Sequence, residues 1–552
     1  MPDRSPLRRI FAPLFVALIV LFVLFAAITW MPLRRARAEW RGGRVAEAIA
    51  EAQSWSRTQM WPNQYEQILA IAFLTAGRFD AAKPHLDALR GRELRLSLVP
   101  KSEVANRLFA RGEYAHYLDY DESVRERGEP ADAVLYRAAA LTATDRVGEA
   151  SSTLRAINRS AVDPKKLAAL EAALAQRSSG QSPYILDRDG KTIATYGLAP
   201  PHDITPVDRD YAAFIDGDGR LTIASQKEHF GGNETIETTF DSAVAHAAMT
   251  ALERYRGSLV AIDPRTNEIL AIVSNDRKNL ALEQQYEPGS IIKVLTALNA
   301  VNSGIDLSSM FPYHCSGDLM IDGRHFGDWV PQGHGTLPDL NEALAQSCNV
   351  FFADTGLRLG LDRLRRFMTA AGFDGQTDLG LFKVPLGRTT GEIFNKFETA
   401  FYAIGLEHET MTALHIAMLA SMMANRGVLT TPRLLRGRRS VLGEIVVGPT
   451  PQTQVRMASR DATERVVQAM VAVVKRPKGT GRRADMDGIS LALKTGTAGK
   501  RENGYNAQIM AFAPVESPRI AFGIIAEDAG PAEYAGAKIA RDFLEGIRDR
   551  LK

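Results

Sequence analysis

Cysteine is almost absent from this chain: Cys315 and Cys348 are the only two in 552 residues, which leaves room for one disulfide at most. A charge excess is missing as well. The net charge is +3, and the arginines that gather near the N-terminus flank an apolar segment instead of alternating with aromatics, so no nucleic-acid surface is written in the chain. What is present is 45% hydrophobic composition over a length that calls for two or three domains.

The uncharged run Ile10–Leu33, "IFAPLFVALIVLFVLFAAITWMPL", is long enough to cross a bilayer as a helix. Trp30 suits the interface. Ala36-Arg37-Ala38 imitates a signal-peptide cleavage site, but the run is too long and arginines intervene, so an uncleaved anchor over 10–33 is expected after a cytoplasmic tail over 1–9. Orientation is contested. Arg4, Arg8 and Arg9 precede the span while Arg34, Arg35, Arg37, Arg41 and Arg44 follow it, a count that alone would leave the large C-terminal part inside.

After the anchor the sequence repeats itself. "GGRVAEAIAEA", "AGRFDAAKPHL", "RGEYAHYLDY" and "TDRVGEASSTL" place matching turns at Gly43, Gly77, Gly112 and Asp145, close to 34 residues apart. That period is the tetratricopeptide signature, although its Trp and Pro landmarks are missing. Residues 40–177 are therefore expected to form tetratricopeptide-like helical repeats, with a generic helical bundle as the alternative. Such repeats serve either as a spacer or as a concave surface for protein partners. Residues 183–235 read as a small β-rich connector, opened by a hairpin that turns at Asp189-Gly190.

The remainder, 236–552, has an interrupted-sheet pattern. Two strand-like runs, from Gly257 and Glu268, are joined by a turn in which Asn267 takes a left-handed conformation. Three more begin near Ile489, Ala507 and Arg519, with more than two hundred mostly helical residues between the groups. Amphipathic helices "SAVAHAAMTALERY" and "GAKIARDFLEGIRDRL" bracket the whole and suit one face of an antiparallel sheet. The expected architecture is multi-domain: a transmembrane helix, all-α repeats, then an α+β fold with a five-stranded antiparallel sheet, an inserted helical subdomain and a cleft where these meet.

Three motifs fall where such a cleft would gather them. Ser290-Ile291-Ile292-Lys293 is SxxK at a helix start, Ser347-Cys348-Asn349 is SxN, and Lys494-Thr495-Gly496-Thr497 is KTGT at a strand end. SxxK alone is weak; in this order and context the three together are strong. With "AIDPRTNEILAIVS", "YEPGSIIK", "GHGTLPDLNEALAQSCNVFF" and "LALKTGTAG", the chain from about "TIETTFDSAVAHAAMTAL" to its end resembles the penicillin-binding proteins, serine D,D-transpeptidases of cell-wall synthesis. "YHCSGDLMIDGRHFGDWVPQGHG" is most similar to elongation-type members that work with a membrane glycan polymerase. No glycosyltransferase signature is visible, which places the resemblance with the monofunctional class.

Residue chemistry agrees with the resemblance. Residues three apart on a helix share a face, so Lys293 reaches Ser290. A neutral amine there takes the hydroxyl proton, provided that desolvation and nearby positive charge lower the lysine from its usual 10.4 or so. The resemblance implies the other roles. Ser347 relays a proton to the leaving D-alanine, Asn349 binds the donor amide, Lys494 supplies positive potential, and Thr495 and Thr497 hold the terminal carboxylate. The amides of Ser290 and Thr497 form the oxyanion hole, with Gly496 permitting close approach. β-Lactams, which imitate D-alanyl-D-alanine, are expected to acylate Ser290, and stem peptides ending in D-Ala-D-Ala to be the substrates. Since peptidoglycan lies outside the cytoplasmic membrane, the catalytic part belongs outside too, as a single-pass inner-membrane protein, against the arginine count.

Three readings of the cysteines are open: independent thiols, a disulfide, or zinc. Asp328 and His334 lie between Cys315 and Cys348 and complete a four-ligand set for a structural zinc; catalysis needs no cofactor. Three departures from the family pattern stand out, the first being that tetratricopeptide-like repeats replace the usual N-terminal pedestal. Glu407 lies in "GLEHE" where relatives carry Gly-Gln-Gly, and Asn506 and Gln508 occupy a stretch where they carry an aromatic or His. The functional alternatives are a β-lactam sensor or assembly scaffold and a D,D-carboxypeptidase, in which water replaces the acceptor amine.

Overall fold

The computed structural model describes residues 7–55, 61–94, 96–126, 128–178, 184–196, 204–206, 235–276, 278–499 and 504–552. Much of the expected connector lies outside these. Its opening hairpin is present, Tyr184–Leu186 pairing antiparallel with Thr192–Tyr196, and the Asp187 carboxylate accepts from the amides of Asp189 and Lys191 across the turn.

The chain divides into two compact units. The first begins with one continuous helix, Leu7–Arg41. Large apolar side chains from Phe15 to Phe25 are exposed along it, whereas Leu33, Ala36 and Trp40 are fully buried. The apolar span and the first helix of the helical unit are thus one element. Trp30 packs edge-on against Trp61 at 4.9 Å, and the Trp40 indole donates to Thr75.

Helix pairs follow: Pro62–Thr75 with Phe79–Leu89, Lys101–Phe109 with Tyr114–Ser123, and Ala131–Ala143 with Val147–Arg155. Gly43, Gly77, Gly112 and Asp145 all have positive φ, between 63° and 81°, in the turns. In the last three pairs the amide after the turn residue reaches back to the carbonyl of Phe73, Leu108 or Leu141, the bond that ends a helix on a left-handed residue. Small residues at the contacts, such as Ala70, Ala72, Ala105 and Ala139, let the helices approach. This unit also takes Arg438–Val447 from far along the chain. Val441 and Leu442 are buried in its core, and Glu444 pairs with Lys166 at 2.5 Å.

The second unit is built on five strands, in the order Ala492–Ala498, Asn506–Ala513, Ile520–Ala526, Gly257–Asp263 and Glu268–Ser274, every neighbour antiparallel. Asn267 has φ 53° at the turn between the last two, as its side chain allows. The five strands are buried almost throughout, on both faces. Ser242–Leu252 and Ala535–Gly546 pack on the sheet, and Ala413–Ala424 covers it too: a Cβ on Gly523 would lie 2.5 Å from the Ala413 carbonyl. Sequence periodicity implies a single covered face and does not place this third helix on the sheet, because Ala413–Ala424 is apolar all round and carries no amphipathic stripe. Its Met418, Met422 and Met423 are core packing.

The segment between the strand groups is also less purely helical than its pattern implied. Beside helices such as Ile292–Asn302, Asn349–Leu359 and Arg460–Lys475 it holds short antiparallel ladders, including Tyr313–Cys315 with Gly335–Leu337 and Asp318–Ile321 with Arg324–Gly327. Ladders of three or four residues are too short to show a period-two pattern.

Candidate active site

Ser290 sits in a 3-10 turn, Gly289–Ile291, that runs into the helix Ile292–Asn302; the α-helix proper starts two residues later than the motif implied. Pro288 has no amide hydrogen to satisfy at this entry. The turn is held from two sides. The Gly289 amide donates to the Gly405 carbonyl at 2.8 Å, and the Gln508 side chain donates to the Glu287 carbonyl. A Cβ on Gly496 would stand 2.6 Å from the Pro288 carbonyl, and one on Gly289 would stand 2.7 Å from the Thr497 carbonyl. Hydrogen at these positions is what lets the KTGT strand lie against the Ser290 turn.

Lys293, one turn beyond Ser290, is completely buried. Its amine donates to the Ser347 carbonyl at 2.6 Å, to Asn349 Oδ1 at 2.5 Å and, at 3.3 Å, to the Ser347 hydroxyl. Ser347 reaches this place with φ 55°, an uncommon conformation for a residue with a side chain, and Cys348 caps the helix Asn349–Leu359 by accepting from the Phe351 amide. From the other side Lys494, also fully buried, donates to the same Ser347 hydroxyl at 2.9 Å and to the Thr495 carbonyl at 2.8 Å. SxxK, SxN and KTGT thus meet at one hydroxyl.

Burial drives both amines toward their neutral forms. Lys293 is lowered to about 8 by desolvation, opposed by the negative charge of Asp328. Lys494 is pushed well below its ordinary value by desolvation and by the charge on Lys293. With both lysines donating to it, the Ser347 oxygen has filled its acceptor positions, and its own proton is free to point elsewhere.

Thr495 and Thr497 alternate with Gly496 on one side of their strand. Thr495 shares a 2.7 Å hydroxyl bond with Thr480, and Thr497 accepts from the Ala532 amide at 3.0 Å. Thr480 and Gln508 were not foreseen as site residues. Thr480 lies in an irregular stretch, "PKGTGRR", with no pattern to mark it, while Gln508 stands out in the sequence only as a departure from the family pattern.

Beneath SxN lies a buried donor cluster. Cys315 and Cys348 are free thiols, and one ligand atom from each lies, with a carboxylate oxygen of Asp328, within 4.8 Å of the others. His334 Nε2 stands 3.1 Å from the other Asp328 oxygen, both side chains being almost wholly buried.

A buried amine and a serine one turn apart suit acyl transfer through a serine ester. The comparisons agree with that class: the chain belongs to the penicillin binding protein transpeptidase domain family, whose model matches residues 257–547, more than half its length. It is 28% identical over 372 residues to the peptidoglycan D,D-transpeptidase PbpA of Mycolicibacterium smegmatis, covering 59% of this chain and 75% of that protein. It is also 28% identical over 381 residues to the peptidoglycan D,D-transpeptidase MrdA of Acinetobacter baumannii, here spanning 59% of this chain and only 55% of the relative's length. Among solved structures, the D,D-transpeptidase domain of a peptidoglycan glycosyltransferase from Eggerthella lenta superposes with a TM-score of 0.58 at 23% identity, over 67% of this chain and 98% of that one. A ceftriaxone acyl-enzyme complex of penicillin-binding protein A from M. tuberculosis gives 0.59 at 21%, over the same shares. These likenesses establish the fold.

Proposed function

We propose that the protein crosslinks peptidoglycan stem peptides as a serine D,D-transpeptidase. The observation that carries this reading is the single Ser347 hydroxyl shared by Lys494 and Lys293 beside the Ser290 turn. Neutral Lys293 takes the Ser290 proton as Oγ attacks the penultimate D-alanine carbonyl, and the amides of Ser290 and Thr497 receive the oxyanion. As the C–N bond breaks, Ser347 gives its proton to the leaving amine and is resupplied through the lysine that donates to it. The hydroxyls of Thr495 and Thr497 hold the terminal carboxylate. An acceptor amine then attacks the ester, returning Ser290. β-Lactams enter by the same attack and acylate Ser290.

Three further assignments complete the proposal. The catalytic unit lies outside the cytoplasmic membrane, held by a single span over 10–33 with 1–9 inside. The helix pairs are tetratricopeptide-like repeats, supported by left-handed turns at Gly43, Gly77, Gly112 and Asp145; these repeats serve as a spacer or bind protein partners, and a membrane glycan polymerase is a partner of the catalytic unit. Cys315, Asp328, His334 and Cys348 hold a structural zinc: two buried free thiols, a carboxylate and an imidazole are a donor set that suits this metal. Bound there, it would fix the segment that carries Ser347 and Asn349.

The test uses membranes labelled with fluorescent penicillin, wild type against Ser290→Ala, followed by a crosslinking assay on lipid-linked substrate with a glycan polymerase. Label on the wild type alone, with dimeric muropeptides formed, is expected. Label without dimers would move the assignment to a carboxypeptidase or sensor, and an unlabelled wild type would end the enzymatic reading.

A further inference from the structure

Next to the KTGT strand a cavity of about 440 Å³ opens among Lys478, Thr480, Arg482, Arg483, Glu533 and Tyr534. It is tied to both threonines of the motif. Thr480 shares its hydroxyl bond with Thr495, and Glu533 follows Ala532, whose amide donates to Thr497. The cavity therefore begins where the hydroxyls that hold the donor's terminal carboxylate end.

Its charge is unbalanced. The basic residues just before it are spent: Lys475 pairs with Asp485 at 2.6 Å, and Arg476 with Asp339 at 3.5 Å. Lys478, Arg482 and Arg483 differ, since among the described residues no carboxylate lies within ion-pair distance of them. Arg482 donates to the Pro477 carbonyl at 3.0 Å, and the Arg483 guanidinium lies 4.8 Å from the centre of the Tyr534 ring. Glu533 is the one acid in the lining and has no ion-pair partner among the described residues. Three cations against one anion make the cavity a site for negative charge.

A donor peptide does not fill it. The donor ends at the carboxylate bound by Thr495 and Thr497, so nothing of it extends past them. That leaves the acceptor. Its amine must approach the ester along the line on which the leaving amine departed, because the second step reverses the first, and the body of the acceptor then lies beyond Thr495. We propose that this cavity is the acceptor subsite and that it selects an acceptor peptide bearing a carboxylate apart from the reacting amine, read by Arg482, Arg483 and Lys478 with Tyr534 as an apolar wall. The step balances simply: the acceptor nitrogen forms an amide with the acyl carbon, the Ser290 ester bond breaks, and the amine proton returns to Ser290 Oγ. This inference rests on the transpeptidase reading.

The test uses the full chain in detergent, acylated with a D-alanyl thioester donor, with each preparation normalised to the fraction that titrates with fluorescent penicillin. The ester is then partitioned between water and two peptide acceptors that differ only in one carboxylate or its amide. The carboxylate acceptor should capture the acyl-enzyme about fivefold to tenfold better, the scale expected for two or three partly exposed ion pairs. Lys478→Gln/Arg482→Gln/Arg483→Gln should erase the preference, and Glu533→Gln should enlarge it, opposite signs that a general loss of structure does not produce. Equal capture of the two acceptors by an acylated wild type, or a preference that survives the triple change, would overturn the subsite alone. A wild type that neither penicillin nor the donor acylates would overturn the transpeptidase reading and this one with it.

Discussion

Raising the pH from 7 to 9 should speed penicillin acylation of Ser290 by about tenfold and then no further. Lys293 is lowered to about 8, chiefly because its ammonium is stripped of water at zero exposure, with the Asp328 carboxylate holding it from falling lower. The neutral fraction is then about 0.1 at pH 7 and about 0.9 at pH 9. An ordinary lysine would instead give a rise of roughly a hundredfold over that interval with no levelling. Because Lys494 lies across the same hydroxyl, the midpoint belongs to the pair and not to one amine. Asn349→Asp places a carboxylate where Asn349 Oδ1 now accepts from the Lys293 amine and should move the limb upward by about one to three units. The assay is the second-order rate of fluorescent penicillin labelling at pH 6 to 10. A flat profile, or a climb that continues past pH 10 in the wild type, would refute the assignment of a desolvated lysine as the base.

Three further outcomes are expected. His415 is buried and lowered to about 4, mainly by desolvation, its Nε2 donating to the Ala371 carbonyl at 2.8 Å. Below pH 6.5 the unfolded chain takes up a proton at this imidazole that the folded one refuses, so His415 should withdraw about 2 kcal/mol of stability between pH 7 and pH 5, while buried Glu409, whose carboxyl is pushed well up by desolvation, acts in the opposite sense. Urea unfolding of wild type against His415→Gln at pH 7 and 5 checks this: the difference between the two proteins should change by that amount, and an equal pH dependence in both would remove His415 as its source. Glu407 has φ 71°, in the left-handed region that favours glycine, and its amide donates to the Glu287 carboxylate at 2.6 Å. Glu407→Gly keeps that bond, removes the strain and should stabilise by about 1 kcal/mol, read as a higher Tm; a lower one would mean that the side chain earns its place. Thr480→Val deletes the hydroxyl shared with Thr495 and should lower the acylation rate by about fivefold, whereas an unaltered rate would remove Thr480 from the site.

The parts of this molecule that were legible beforehand are those with a fixed local spacing. SxxK, SxN and KTGT are three- and four-residue patterns tied to a helix start or a strand end, and the five sheet strands announce themselves as apolar runs. The turns at Gly43, Gly77, Gly112 and Asp145 were legible for the same reason, since a left-handed residue between two helices recurs with the repeat. What escaped has no local signature. Thr480 reaches Thr495 from an irregular loop fifteen positions earlier, and Gln508 supports the Ser290 turn from a strand far along the chain. Residues 438–447 join the helical unit from a stretch that sequence order assigned elsewhere, because burial of Val441 and Leu442 depends on a partner nearly three hundred residues away. The cluster of Cys315, Asp328 and Cys348 falls between these cases: its members were named from order along the chain, but their closeness is a product of the fold.

The most direct test of a Ser290 acyl-enzyme is mass spectrometry of the full chain after brief exposure to penicillin G. One penicilloyl group should appear per chain, mapping to the peptide that carries "YEPGSIIK", and none on Ser290→Ala. Adduct on any other peptide, or an unmodified wild type that is folded by its thermal transition, would contradict the account.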